Sequence, residues 1–144
     1  MRPSLALATT IVLVALLACS SGQKSASGFR LPDGDVEKGK ADFLELKCNE
    51  CHTVFGMDVP RPSSPSITVA LGGEEPIIRT DGELVTSIIN PSHKLAWGYP
   101  NEQIATDGKS KMRDYSDMMT VRQMTDLVAF LHSRHKYVPP RPVK

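Results

Sequence analysis

Aromatic residues are scarce in this chain. Four phenylalanines, three tyrosines and one tryptophan make up 6% of it, which leaves little bulk for filling an interior. Charge of one sign is lacking too. The formal net charge is +1, so no basic field points to nucleic acid. No apolar run is long enough to cross a bilayer. The run Leu5 to Leu17 holds 13 residues, whereas a spanning helix needs about 20. No convincing alternation of apolar and polar residues marks a strand. What remains is ordinary: 144 residues, 40% hydrophobic and 23% charged, enough for one compact domain.

The N-terminus reads as an address. Arg2 gives a short positive region ahead of Leu5 to Leu17, the pattern of an export signal. The run closes in Leu16-Leu17-Ala18-Cys19, which resembles the lipobox of bacterial lipoproteins. That resemblance implies lipidation at Cys19 and removal of residues 1–18. The plainer alternative is an ordinary cleaved signal beside an incidental cysteine. Ser20 to Gly28 is small and polar and reads as a flexible tether. The expected segments are a signal peptide 1–18, a lipidated tether 19–33, a folded domain 34–136 and a proline-rich tail 137–144. Loss of residues 1–18 removes Arg2 alone, which leaves 16 basic and 16 acidic residues.

The other two cysteines belong to Cys48-Asn49-Glu50-Cys51-His52. Two cysteines three apart with a histidine after the second form the attachment signature of c-type haem. Each thiol adds to one porphyrin vinyl group, and one helical turn separates the two side chains by about the reach required. The histidine is then held beneath the iron as its proximal ligand. Attachment takes place outside the cytoplasm in bacteria, so this motif and the export signal agree on compartment.

Asp35 to about Lys47 is predicted helical, with Asp33 or Asp35 capping its start. Gly39 and Phe43 share one face of it. Thr80-Asp81-Gly82-Glu83 is a capping box that opens a second helix. Leu84, Val85, Ile88 and Ile89 form its buried face, and Pro91 ends it. Thr120-Val121-Arg122-Gln123 opens a third. There Val121, Met124, Leu127, Val128 and Leu131 recur at helical spacing, with an end expected near His135.

Gly39, Phe43, Cys48-x-x-Cys51-His52 and Phe130 together resemble a bacterial class I cytochrome c over residues 34–135. The resemblance implies an all-α fold, three main helices wrapped on one covalent haem, with Phe130 crossing on Gly39 and Phe43. It implies that a proline carbonyl fixes the proximal histidine; Pro65 is the candidate, and Pro62 the second. It places Trp97 near a haem propionate, where a packing role in a loop is the alternative. His93 is the lesser candidate for a second iron ligand. Met112, in the loop 107–112 ahead of the last helix, stands where the family's methionine ligand falls, with Tyr115 as the following aromatic. Arg113 replaces the usual proline there. Met118 and Met119 are its rivals; Met57 lies too close to His52, and Met124 reads as core.

The implied activity is single-electron transfer by a membrane-anchored monohaem cytochrome c, with haem c as cofactor and no catalytic residue of its own. Its partners would be redox proteins and, through the lipid, the membrane; no nucleic acid or small-molecule substrate is expected. Lys94, Lys109, Lys111 and Arg113 would face an acidic partner, offset in part by Asp107 and Asp114. The location is the cell envelope, on the periplasmic side. Ser20 favours the outer membrane under the enterobacterial sorting rule, which leaves inner against outer open.

Two other classes compete. The chain is a cytochrome subunit of a larger dehydrogenase or oxidase, or, with no methionine ligand, a five-coordinate haem enzyme or gas-binding protein. Cys48, Cys51, His132 and His135 also make a nominal zinc set, which leaves His52 unexplained. A redox dithiol needs a βαβ context that the sequence does not show. With so few aromatics, haem must be most of the core. The haem-free chain should therefore melt without a cooperative transition in circular dichroism; a sharp, native-like melt would contradict this.

Overall fold

The computed structural model describes residues 29–62 and 67–140. The export signal, Cys19, most of the tether, Pro65 and the end of the tail lie outside the described residues.

The organising contact is a crossing of two helices, α1 (Val36–Glu45) and α4 (Val121–His132). Asp35 caps α1, its Oδ1 accepting from the Glu37 and Lys38 amides at 3.0 and 3.1 Å. The same residue ties α1 to α4, because its own amide donates to Asp126 Oδ1 at 2.8 Å. One turn further on, Gly39 is buried directly against the backbone of α4. A Cβ at position 39 would overlap the Asp126 carbonyl and come within 2.8 Å of Phe130 Cβ. Phe43 and Phe130 close the crossing with ring centroids 5.6 Å apart and planes tilted by 58°, a favourable geometry for two aromatic rings. Both are essentially inaccessible to solvent.

The second helix, α2 (Asp81–Ile89), is opened by the predicted box: the Thr80 hydroxyl accepts from the Glu83 amide and the Glu83 carboxylate accepts from the Thr80 amide. The Thr120 and Gln123 pair does the same for α4. Leu84 and Ile88 are buried, but Ile89 is exposed and Val85 only half-buried. The buried stripe of α2 is thus narrower than the four apolar residues predicted. Val121, also expected inside, is exposed at the first position of α4. A short helix α3 (Asn101–Ile104) follows α2.

The all-α expectation needs one correction. Among the described residues, six short strands form three two-stranded ladders. β1 (His52–Val54) pairs in parallel with β2 (Val69–Leu71), and β3 (Gly73–Glu75) in parallel with β6 (His135–Tyr137). β4 (Ala105–Thr106) and β5 (Lys109–Ser110) form a hairpin. Ladders of two or three residues carry no readable alternation; they form because loop amides and carbonyls near the core need partners. β6 also explains why α4 stops at His132 rather than near His135. The chain turns there so that Arg134 O accepts from Gly73 N at 2.8 Å. Gly72, at φ +81°, makes that approach possible, since a Cβ there would lie 2.6 Å from the same carbonyl oxygen.

Gly39→Ala forces the two backbones apart, an overpacking cost of about 1–3 kcal/mol. A domain of roughly 100 residues loses about 4–8 °C of melting temperature per kcal/mol. A haem-loaded Gly39→Ala variant should show that loss in a thermal melt; an unchanged melt would mean the crossing tolerates a side chain.

Candidate functional site

After α1 the chain turns through Lys47, in the left-handed region at φ 59°, into a 3₁₀ turn, Cys48–Glu50. At three residues per turn, side chains three apart lie above one another, so Cys48 and Cys51 project to one side. Both line a cavity of about 750 Å³ bounded by Phe43, Leu84, Ile88 and Leu127. Burial pushes the Cys48 thiol up to about 11, so before any attachment it stands as a neutral thiol. Tyr115 neighbours it, is itself pushed up to about 12 chiefly by burial, and donates its hydroxyl to Leu46 O at 2.9 Å. This tyrosine braces the end of α1 against the cavity wall.

His52, the next residue, opens β1 and lines the same cavity. Its Nδ1 lies 3.2 Å from Val69 O. A carbonyl oxygen only accepts, so Nδ1 carries the hydrogen and Nε2 presents its lone pair. Burial lowers the pKa of the ring, the Val69 bond opposing this in part. The result is a neutral imidazole with one nitrogen fixed and the other free to ligate a metal. The carbonyl expected to do the fixing was that of Pro65, which lies outside the described residues. Val69, on β2, makes the contact through the β1–β2 ladder, a partner with no local sequence signal. Around the attachment turn, Arg61 Nε donates to Asn49 O at 3.3 Å, and Asn49 Nδ2 donates to Pro60 O. Asn49, unremarked in sequence, anchors the proximal loop.

Met112 is half-buried and lines the cavity that His52, Cys48 and Cys51 line. It follows the β4–β5 hairpin, whose two central residues, Asp107 and Gly108, have φ of 50° and 74°. Positive φ at both positions is the requirement of a type I′ turn, and Asp-Gly is among its preferred pairs. That dipeptide was the available signal that the loop 107–112 is a built arm. Lys111 N donates to Ile104 O at 2.8 Å and Met112 N to Ser110 Oγ at 3.1 Å, so the backbone leading into the thioether is held. The rival methionines do not line the cavity: Met118 is exposed, Met119 packs on the core from outside, and Met124 is buried within it.

Trp97 lines the cavity mouth but is 95% exposed, so the protein alone neither packs it nor supplies its indole with a partner among the described residues. His93 is exposed and does not line the cavity. The zinc set is not assembled. His132 Nε2 is bonded to Asp81 Oδ1 at 2.9 Å, and no group of three or more His, Cys, Asp or Glu side chains is placed to hold a metal ion among the described residues.

A largely apolar cavity, two thiols on one turn, an imidazole with its second nitrogen fixed and a soft thioether make a donor set suited to a covalently attached haem. The family model for cytochrome c matches residues 36–135, and the chain belongs to the cytochrome c family. Its fold is therefore the cytochrome c fold, and its cofactor is haem c, covalently bound. No curated protein and no solved structure matches the chain.

Proposed function

We propose that this chain is a His/Met class I cytochrome c that shuttles single electrons at a cell-envelope membrane, held there by lipid at Cys19. The observation that carries the reading is that Met112 and His52 line one cavity with Cys48 and Cys51, while the other candidate ligands do not reach it. Haem c supplies a one-electron iron couple. The chain's own residues decide how it is used. His52 gives a neutral nitrogen whose direction is set by Val69. Met112 gives a sulfur that favours reduced iron and raises the potential relative to a second histidine. Bound to the iron, it would also fill the position at which a gas or peroxide would otherwise bind, which sets this reading apart from a haem enzyme. Lys94, Lys109, Lys111 and Arg113 are all exposed and present positive charge to an acidic redox partner on the Met112 side.

Two measurements test this. Met112→Ala should abolish the weak far-red band of oxidised thioether-ligated haem, lower the potential and let the reduced protein bind carbon monoxide. Met118→Ala should change none of these. Loss of the band in Met118→Ala alone would move the ligand; no band in the parent protein would remove the thioether altogether. Separately, Cys19→Ala should shift the protein from the membrane to the soluble envelope fraction, and retention at the membrane would refute the lipid anchor.

A further inference from the structure

One stretch of chain is seated twice on the end of α2. Residues 111–120, between β5 and α4, form no helix or strand, and Met112 lies among them. Position 113 is arginine, which leaves φ free where a proline would lock it. Backbone of this kind keeps one course only if other bonds hold it. Here serine hydroxyls supply them. Ahead of Met112, the Ser110 amide donates to Ser92 Oγ at 3.1 Å, and the Met112 amide donates to Ser110 Oγ at 3.1 Å. Beyond it, Ser116 Oγ donates to Ile89 O at 3.2 Å. Ile89 is the last residue of α2. The arm 110–116 therefore docks at both ends on one short segment, 89–92, from 18 and 27 residues away in sequence.

That segment is itself firm. Asn90 N donates to Thr86 O at 2.8 Å and His93 N to Asn90 O at 2.9 Å, and Pro91 has a fixed φ. It also stands at the cavity wall, because Ile88 and Pro91 line the cavity together with Ser110 and Met112. Lys111 is tied elsewhere, to α3, its amide donating to Ile104 O at 2.8 Å and its Nζ to Glu102 O at 2.6 Å. The amide that carries Met112 depends on Ser110, and the amide of Ser110 on Ser92.

We propose that Ser92 and Ser110 are positioning residues for Met112, acting in series from the end of α2 to keep its thioether at the cavity. Neither reaches the sulfur's task directly; each works through the backbone of the residue it holds. Ser110 bonds the amide two residues on, the local pattern that serine and threonine hydroxyls share and alanine lacks. Ser92 supplies what the local bond cannot, a fixed point outside the arm. The proposal rests on the His/Met reading, since a sulfur with no iron to meet needs no such seat. Loss of one such hydrogen bond shifts the balance between a seated and a released arm by about two- to tenfold.

The test uses the haem-loaded protein in its oxidised form and imidazole as the probe, followed by the visible spectrum. Imidazole binds the iron only where the thioether has left it, so its apparent affinity reads the fraction of released arm. Ser92→Ala and Ser110→Ala should each bind imidazole about two- to tenfold more tightly than the parent. Ser110→Thr, which keeps the hydroxyl, should match the parent. Ser92 is exposed and Ser110 half-buried, so neither alanine opens the core. Ser133→Ala is the control: it removes a hydroxyl bonded to Phe130 O at 2.6 Å at the end of α4, and should leave the imidazole affinity unchanged even where it lowers the melt. Parental affinity in either alanine variant overturns the proposal, as does an equal gain in Ser133→Ala or a Ser110→Thr that behaves as Ser110→Ala. A parent with no far-red thioether band removes the His/Met reading and the proposal with it, and that result is seen in the parent alone, before any variant is compared.

Discussion

Two helices can meet backbone to backbone only where a side chain is missing, and Gly39 is that place. The crossing of α1 and α4 rests on it. Once they cross there, Phe43 and Phe130 are in register to stack, and Asp126 is in reach of the Asp35 amide. The end of α1 is then fixed, and with it the turn carrying Cys48 and Cys51. The start of α4 is fixed too, and the Met112 arm leads into it. The attachment turn and the methionine arm come from opposite ends of the chain's folded part. A single close contact sets where both begin.

Residues with strong local chemistry were legible in the sequence. Cys48-x-x-Cys51-His52 is a covalent signature. Thr80 with Glu83 and Thr120 with Gln123 are capping boxes whose bonds form as predicted. Asp35 caps α1 as expected. Met112 stood out by its place before the last helix, and it lines the cavity. What was not legible depends on backbone brought together from afar. Val69 faces His52 through its carbonyl, which any residue possesses. The β3–β6 ladder joins positions 73–75 to 135–137, and nothing near either segment announces the other. That ladder shortened α4 and gave His135 its place in the cavity. In sequence His135 stood out as the expected end of the last helix and as half of a zinc pair. Ile89 and Val121 were misplaced because periodicity marks a face but not its width. The helix ends lie where that face meets solvent.

The parallel ladders also assign a role to long, proline-rich loops. A loop that wraps a large planar group cannot be helical everywhere, and its amides still need acceptors. β1–β2 meets that need beside His52, and β3–β6 meets it at the polar corner. In both cases a residue that faces the cofactor cavity begins or ends a stretch of paired backbone. The functional side chains are therefore mounted on hydrogen-bonded chain even where no helix reaches them.

The Asp107-Gly108 turn has a consequence for how fast electrons can pass. A carrier whose iron ligands shift between oxidation states must drive that movement at every transfer, and the energy of rearrangement slows the exchange. The hairpin that precedes Met112 is closed by its own ladder and by a turn that demands left-handed backbone at both centres. Its shape does not depend on what the sulfur touches. On the His/Met reading proposed above, the thioether would be presented from a frame closed by its own hydrogen bonds, as His52 would be on the other arm, so little of the protein would have to move when the charge on the iron changes.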